Sequence, residues 1–107
     1  MIVSVNVRGD QVGDGWGKAK TLALARVEDG EIVDWQEVAV GWDVLHDAGE
    51  CSHHARIVRF LREHDVEVAV TGHMGPPMQN TLAKLGVRVV LGATGDARAA
   101  ASAAAAG

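Results

Sequence analysis

From Ile2 to Val7 apolar and polar residues alternate, with Val3, Val5 and Val7 set against Ser4 and Asn6. This is the twofold period of a strand with one face more buried than the other. Arg8 to Lys20 has no such period and contains four glycines, so it reads as a loop that carries Trp16 between Gly15 and Gly17. Strand character returns over Thr21 to Val27 and over Ile32 to Val40. Between them lies Glu28-Asp29-Gly30-Glu31. Asp-Gly joining two strand-like runs predicts a tight antiparallel hairpin, because both central residues of such a turn need a positive φ. Gly41 to Glu50 is a long loop rich in Gly, Asp and His, after which Ser52 caps a helix running through Leu61 to His64.

The rest of the chain alternates regularly. A strand over Val66 to Val70 is followed by a helix over Pro76 to Leu85, stopped by Gly86, then a strand over Val87 to Leu91 and a helix from Thr94 to about Ala105. Such alternation implies parallel pairing through right-handed crossovers, and the nearly all-apolar late strands are those of a sheet covered on both faces. The expected architecture is an α/β fold of one domain, residues 1–107: a mixed five-stranded sheet with an antiparallel hairpin and helices packed on it. The terminal Ala-Ser-Ala run has high helix propensity but little to bury, so its end is expected to fray.

Composition narrows the function classes. With 48% apolar and 22% charged residues the chain can build a core, which excludes a disordered protein. A net charge of -4 leaves no basic footprint for a phosphate backbone, so nucleic acid is not an expected partner. No apolar run is long enough to span a bilayer and the start lacks the pattern of an export signal, so a cytoplasmic location is expected. The single cysteine, Cys51, has no internal disulfide partner, in keeping with a reducing compartment.

In parallel α/β units ligands bind beyond the carboxyl ends of the strands, where loops lead into helices. Two such loops hold four of the five histidines and the only cysteine: His46 to His54, and Thr71-Gly72-His73-Met74-Gly75-Pro76-Pro77-Met78. Imidazole and thiolate suit iron, copper or zinc, and a helix N-terminus favours the anionic thiol. Cys51, His53 and His73 are the first candidates for metal ligands, with His46, His54 and Met74 behind them, and the two loops are expected to converge at one sheet edge. Cys-x-His-His fits no closed zinc pattern, and His54 shares a helical stripe with Val58 and Leu61 that would place it at the edge of the core. Met78, Leu82 and Leu85 fall at helical spacing, so Met78 reads as core, and His64 reads as a helix-terminal residue. Trp16 and Trp42, in loops near the same edge, either shield a site or cover the core. Gly72 and Gly75 permit close backbone approach to a ligand or serve only the turn. Neither an activated serine motif, a phosphate-cradling loop nor clustered strand carboxylates are present, so no enzyme activity is expected.

The order and spacing of several segments resemble the dinitrogenase iron-molybdenum cofactor-binding family, of the NifX, NafY and NifB C-terminal type. They are the opening strand, Asp29-Gly30-Glu31-Ile32-Val33, Val66 to Gly72 with Met74-Gly75-Pro76, Leu82, Gly86-Val87, and Leu91-Gly92 ahead of Gly95. The resemblance implies a ribonuclease H-like three-layer fold with helices on both faces. It also implies a non-catalytic carrier of the iron-molybdenum cofactor or its iron-sulfur precursor, serving nitrogenase assembly and meeting a cluster-donor or acceptor protein. The alternative is a regulatory module of the same fold that cradles a small anion on helix N-termini. Where the family typically shows His-Phe-Gly-Arg-Ala, this chain has Gly15-Trp16-Gly17-Lys18-Ala19. The familiar histidine is thus absent, and the His- and Cys-rich segment before the first helix implies either that the ligand set has moved there or that the cluster is a different one.

Overall fold

The computed structural model describes residues 1–42 and 53–106, with the backbone alone at His53, His54 and Ala106. Its strands are β1 (Ile2–Arg8), β2 (Gln11–Val12), β3 (Thr21–Glu28), β4 (Glu31–Ala39), β5 (Val68–Val70) and β6 (Arg88–Val90). The helices are α1 (His53–Glu63), α2 (Pro76–Lys84) and α3 (Ala97–Ala106), with a single 3-10 turn at Trp16–Lys18. The sheet runs β4-β3-β1-β5-β6, antiparallel through the first three and parallel through the last three.

The hairpin forms where Asp-Gly predicts it. Asp29 and Gly30 both take positive φ, 53° and 79°, and β3 and β4 leave and enter on either side of them. A register shift beside Arg26 and Val27 leaves Val33 without a partner, which accounts for an exposed valine in the middle of a strand.

The expected count of five strands is corrected to six. β5 covers β1 only from Val3 to Val5, so the far end of that edge would be left open. The chain turns back at Gly9 and Asp10 to fill it, pairing Val7 with Val12 and Arg8 with Gln11. Two residues are too few to display any alternation, and β2 is therefore invisible to a reading of periodicity.

The helices lie on both faces. Ile57 and Leu61 of α1 and Met78 and Leu82 of α2 pack against Leu22, Leu24 and Ala69 on one face. On the other, Ala97, Ala101 and Ala104 of α3 lie against Val3, Val5, Ala23, Ala25 and Val70. The alanine run thus has a surface to bury, against expectation: its small side chains recur at i, i+4 and i+7 and meet the small residues of β3. Strand β1 is likewise buried on both faces, with Ser4 and Asn6 covered as completely as the valines. A buried hydroxyl needs a partner, and Ser4 Oγ donates to Val68 O at 3.1 Å.

Candidate functional site

Strand β5 ends beside Val5 of β1, and the loop that follows it stays with the loop that follows β2. Gly72 N donates to Gly13 O at 3.0 Å, His73 N donates to Asp14 O, and Trp16 N donates to His73 O at 3.0 Å. Gly15 and His73 form an isolated parallel bridge, so loop 13–20 and loop 71–75 make a short ladder beyond the sheet proper. Gly72 is a glycine because a Cβ there would lie 3.0–3.2 Å from atoms of Asp14. Its close approach is to the neighbouring loop.

An open cleft of about 940 Å³ lies over this ladder. Trp16 and Met74, buried to 0% and 2% exposure, form its floor and belong to the core cluster that also holds Met78. Trp42 stands behind Trp16, ring centroids 5.6 Å apart, and does not line the cleft. Both tryptophans are thus core residues, and only Trp16 contributes to the cleft. Its indole N–H is buried without a hydrogen-bond partner among the described residues, an arrangement that costs about 1–3 kcal/mol when a donor loses its water.

Of the predicted site residues, His73 stands exposed on the rim, and Gly75 and Met74 line the cleft beside it. Gly75 also precedes α2, where it holds extended backbone, φ -64° and ψ 148°. His46 and Cys51 lie outside the described residues; His53 and His54 begin α1, and their side chains are outside the description as well. Convergence of the two predicted loops therefore also falls outside it. Among the described residues no three His, Cys, Asp or Glu side chains gather closely enough to hold a metal ion.

Sequence reasoning missed the other half of the cleft: Arg8, Lys18 and Lys20, with Asp14 and Asn6. Among the described residues, three cationic side chains line it against one carboxylate, that of Asp14. The cleft is therefore a locally positive concavity on a protein of net charge -4. The glycine-rich run between Arg8 and Lys20 was legible as a loop, but a run of sequence does not display that it folds against residues 71–75.

Neighbouring helix ends add little positive potential of their own. At α2 the first two positions are Pro76 and Pro77, which carry no N–H, and no side chain caps the end. At α3 the Asp96 carboxylate accepts from Ala99 N at 2.9 Å and fills the place of an outside anion. Charge in the cleft comes from side chains.

The chain is thus a three-layer mixed α/β fold with an open cleft beyond the carboxyl ends of its parallel strands, the place where α/β proteins bind ligands. More particularly, the sequence profile of the dinitrogenase iron-molybdenum cofactor family matches residues 1–107, and the chain belongs to that family. A search of curated proteins found no match. Among solved structures, the fold is similar to the crystal structure of PH0822, with a TM-score of 0.78 at 19% identity over 96% of this chain and 87% of the other. It is also similar to mj0327 of Methanocaldococcus jannaschii, described as a presumptive dinitrogenase, with a TM-score of 0.62 at 16% identity over 90% and 78%. The apo form of the orange protein of Desulfovibrio gigas gives a TM-score of 0.67 at 17% identity over 91% and 79%.

Proposed function

We propose that this protein is a non-catalytic carrier of an anionic metal-sulfur cluster, of the iron-molybdenum cofactor type or its iron-sulfur precursor, held in the cleft between loops 13–20 and 71–75. Membership of the family supports the class of cargo. The observation that carries the reading for this chain is the charge asymmetry among the described residues of the cleft: Arg8, Lys18 and Lys20 against the carboxylate of Asp14. Clusters of this kind bear net negative charge, and cations on a concave wall attract them without a full set of protein ligands. His73, exposed on the rim, offers one imidazole donor. One donor and three cations fit a cluster that arrives and leaves, as a carrier requires, better than a permanently chelated ion. Cys51 and His53 are the sequence's candidates for completing the ligand set during transfer to or from a donor or acceptor protein. The strand order β4-β3-β1-β5-β6 favours the ribonuclease H-like assignment once the short β2 is set aside.

The alternative, a small anion seated on helix N-termini, has less support, since Pro76 and Pro77 remove two donors and Asp96 caps α3.

Anaerobic reconstitution with ferrous iron, sulfide and molybdate, followed by desalting, metal analysis and absorption spectroscopy, tests the proposal. The parent protein is expected to retain a coloured cluster. His73→Ala and the double variant Arg8→Glu with Lys18→Glu should each weaken retention about tenfold or more, on the order of 1.4 kcal/mol. A parent protein that emerges free of metal would overturn the reading.

A further inference from the structure

We infer that Asn6 is a positioning residue, which fixes the spacing of the two cleft loops by binding one of them with each amide hydrogen. Asn6 sits near the end of the central strand at 3% exposure, between Val5 and Val7. A buried carboxamide must be satisfied, and its partners here are not strand neighbours. Nδ2 donates to Gly15 O of the first loop at 3.0 Å and to Thr71 Oγ1, at the start of the second, at 3.2 Å. Both donors of the amide are thereby used.

Thr71, itself fully buried, passes the link onward. Its hydroxyl accepts from Asn6, which leaves one proton, and Asp14 O at 3.2 Å is the nearest of three carbonyls within reach. The Asn6 main-chain carbonyl accepts from Gly13 N at 2.7 Å, a bond that does not depend on the side chain. A Cβ at Gly13 would lie 2.6 Å from Asn6 Oδ1, so loop and carboxamide are in direct contact. Asn6 thus touches Gly13 and Gly15 on one side and Thr71 on the other, immediately below the ladder that carries His73.

Ser4 provides the internal comparison. It lies two residues earlier on the same face of β1, is equally buried and is equally satisfied, but its partner is Val68 O in the body of the sheet. Loss of Ser4's hydrogen bond should cost stability alone; loss of Asn6's should also release the loops.

The experiment uses Asn6→Leu, which keeps the volume and removes the donors, with Ser4→Ala as the comparison. Amide exchange is read at Trp16, Gly72 and His73, whose hydrogen bonds join the loops, relative to β1 and β3 amides of the same sample. This ratio should rise about tenfold or more in Asn6→Leu and stay unchanged in Ser4→Ala, because only the first opens the ladder locally. Should Asn6→Leu fail to fold, Thr71→Val and Thr71→Ser carry the test: the valine variant, without the hydroxyl, should show the same rise and the serine variant the parent's ratio. Equal ratios in all variants would overturn the inference.

A second readout rests on the carrier reading. Asn6→Leu should lower cluster retention about tenfold in the parent and have no further effect in a His73→Ala background, whereas a purely structural effect would be additive. Failure of the parent to take up a cluster would sink the carrier reading, and the exchange ratio would still decide the role of Asn6.

Discussion

Gly13 and Gly15 stand two residues apart in one glycine-rich loop, yet a side chain would meet different surroundings at each. At Gly13 a Cβ would lie 2.6 Å from Asn6 Oδ1; at Gly15 the nearest atom is Lys18 Cβ, at 3.8 Å. Gly13→Ala is therefore expected to destabilise the protein by about 1–3 kcal/mol, as overpacking does in a site that cannot yield. Gly15→Ala should be neutral or stabilising by roughly 0.4–1 kcal/mol, since φ -99° and ψ 116° suit any residue and alanine restricts the unfolded chain. Urea denaturation of the two variants decides between them, and similar midpoints would contradict this account. The open space at Gly15 has a functional counterpart. Because Gly15 is bridged to His73, Gly15→His places a second imidazole beside the first. Retention of the reconstituted cluster should then rise about tenfold, roughly 1.4 kcal/mol, and an unchanged metal content after desalting would count against His73 as a donor.

At the scale of elements, the two faces of the sheet are packed by different means. One is filled by large side chains, Leu22 and Leu24 against Ile57, Leu61 and Leu82. The other brings α3 close through alanines lying on Ala23 and Ala25. Close packing tolerates added volume poorly, so Ala101→Leu should cost about 1–3 kcal/mol although it makes the helix more hydrophobic. A thermal or urea midpoint equal to the parent's would show that α3 can back away from the sheet. The same seam is held at its edges by polar contacts: Ser102 Oγ donates to Gly30 O at 2.8 Å, tying the helix to the hairpin turn, and the Arg98 guanidinium lies 4.6 Å from the Trp35 ring. Trp35, on β4, thereby has a structural occupation.

For the molecule as a whole, the decisive property is the separation of charge. Among the described residues the cleft gathers Arg8, Lys18 and Lys20 on a protein of net charge -4, so its described lining has the sign opposite to that of the whole. Interactions of this kind are screened over about 10 Å at 0.1 M salt. Cluster retention by the parent should accordingly fall with rising sodium chloride, and the fall should be shallower in the Arg8→Glu, Lys18→Glu protein. Retention independent of salt would mean that coordination rather than charge holds the cargo. Among the described residues no helix is long and apolar enough to cross a membrane, and the amphipathic elements are accounted for by the two cores.

Sequence alone determined what depends on neighbours along the chain. The Asp29-Gly30 turn, the helices over 53–63 and 76–84, and the apolar run Val68–Val70 as a strand covered on two faces all follow from local propensity and period. It also marked His73, and it marked residues 8–20 as an irregular segment. Tertiary structure decided what depends on distant partners. Gln11–Val12 becomes a strand only because β5 stops at Val5's partner and leaves β1's edge unpaired. Burial of Ser4, Asn6 and the α3 alanines depends on which layers meet, and no period along the chain records it. The cleft itself belongs to this second kind. Arg8, Lys18 and Lys20 share one cleft with His73 because two loops more than fifty residues apart pair with each other, and the Asn6–Thr71 hydrogen bond beneath them spans a separation of 65 residues. Side-chain pairing at that range is fixed by the packed sheet, and a linear pattern carries no trace of it.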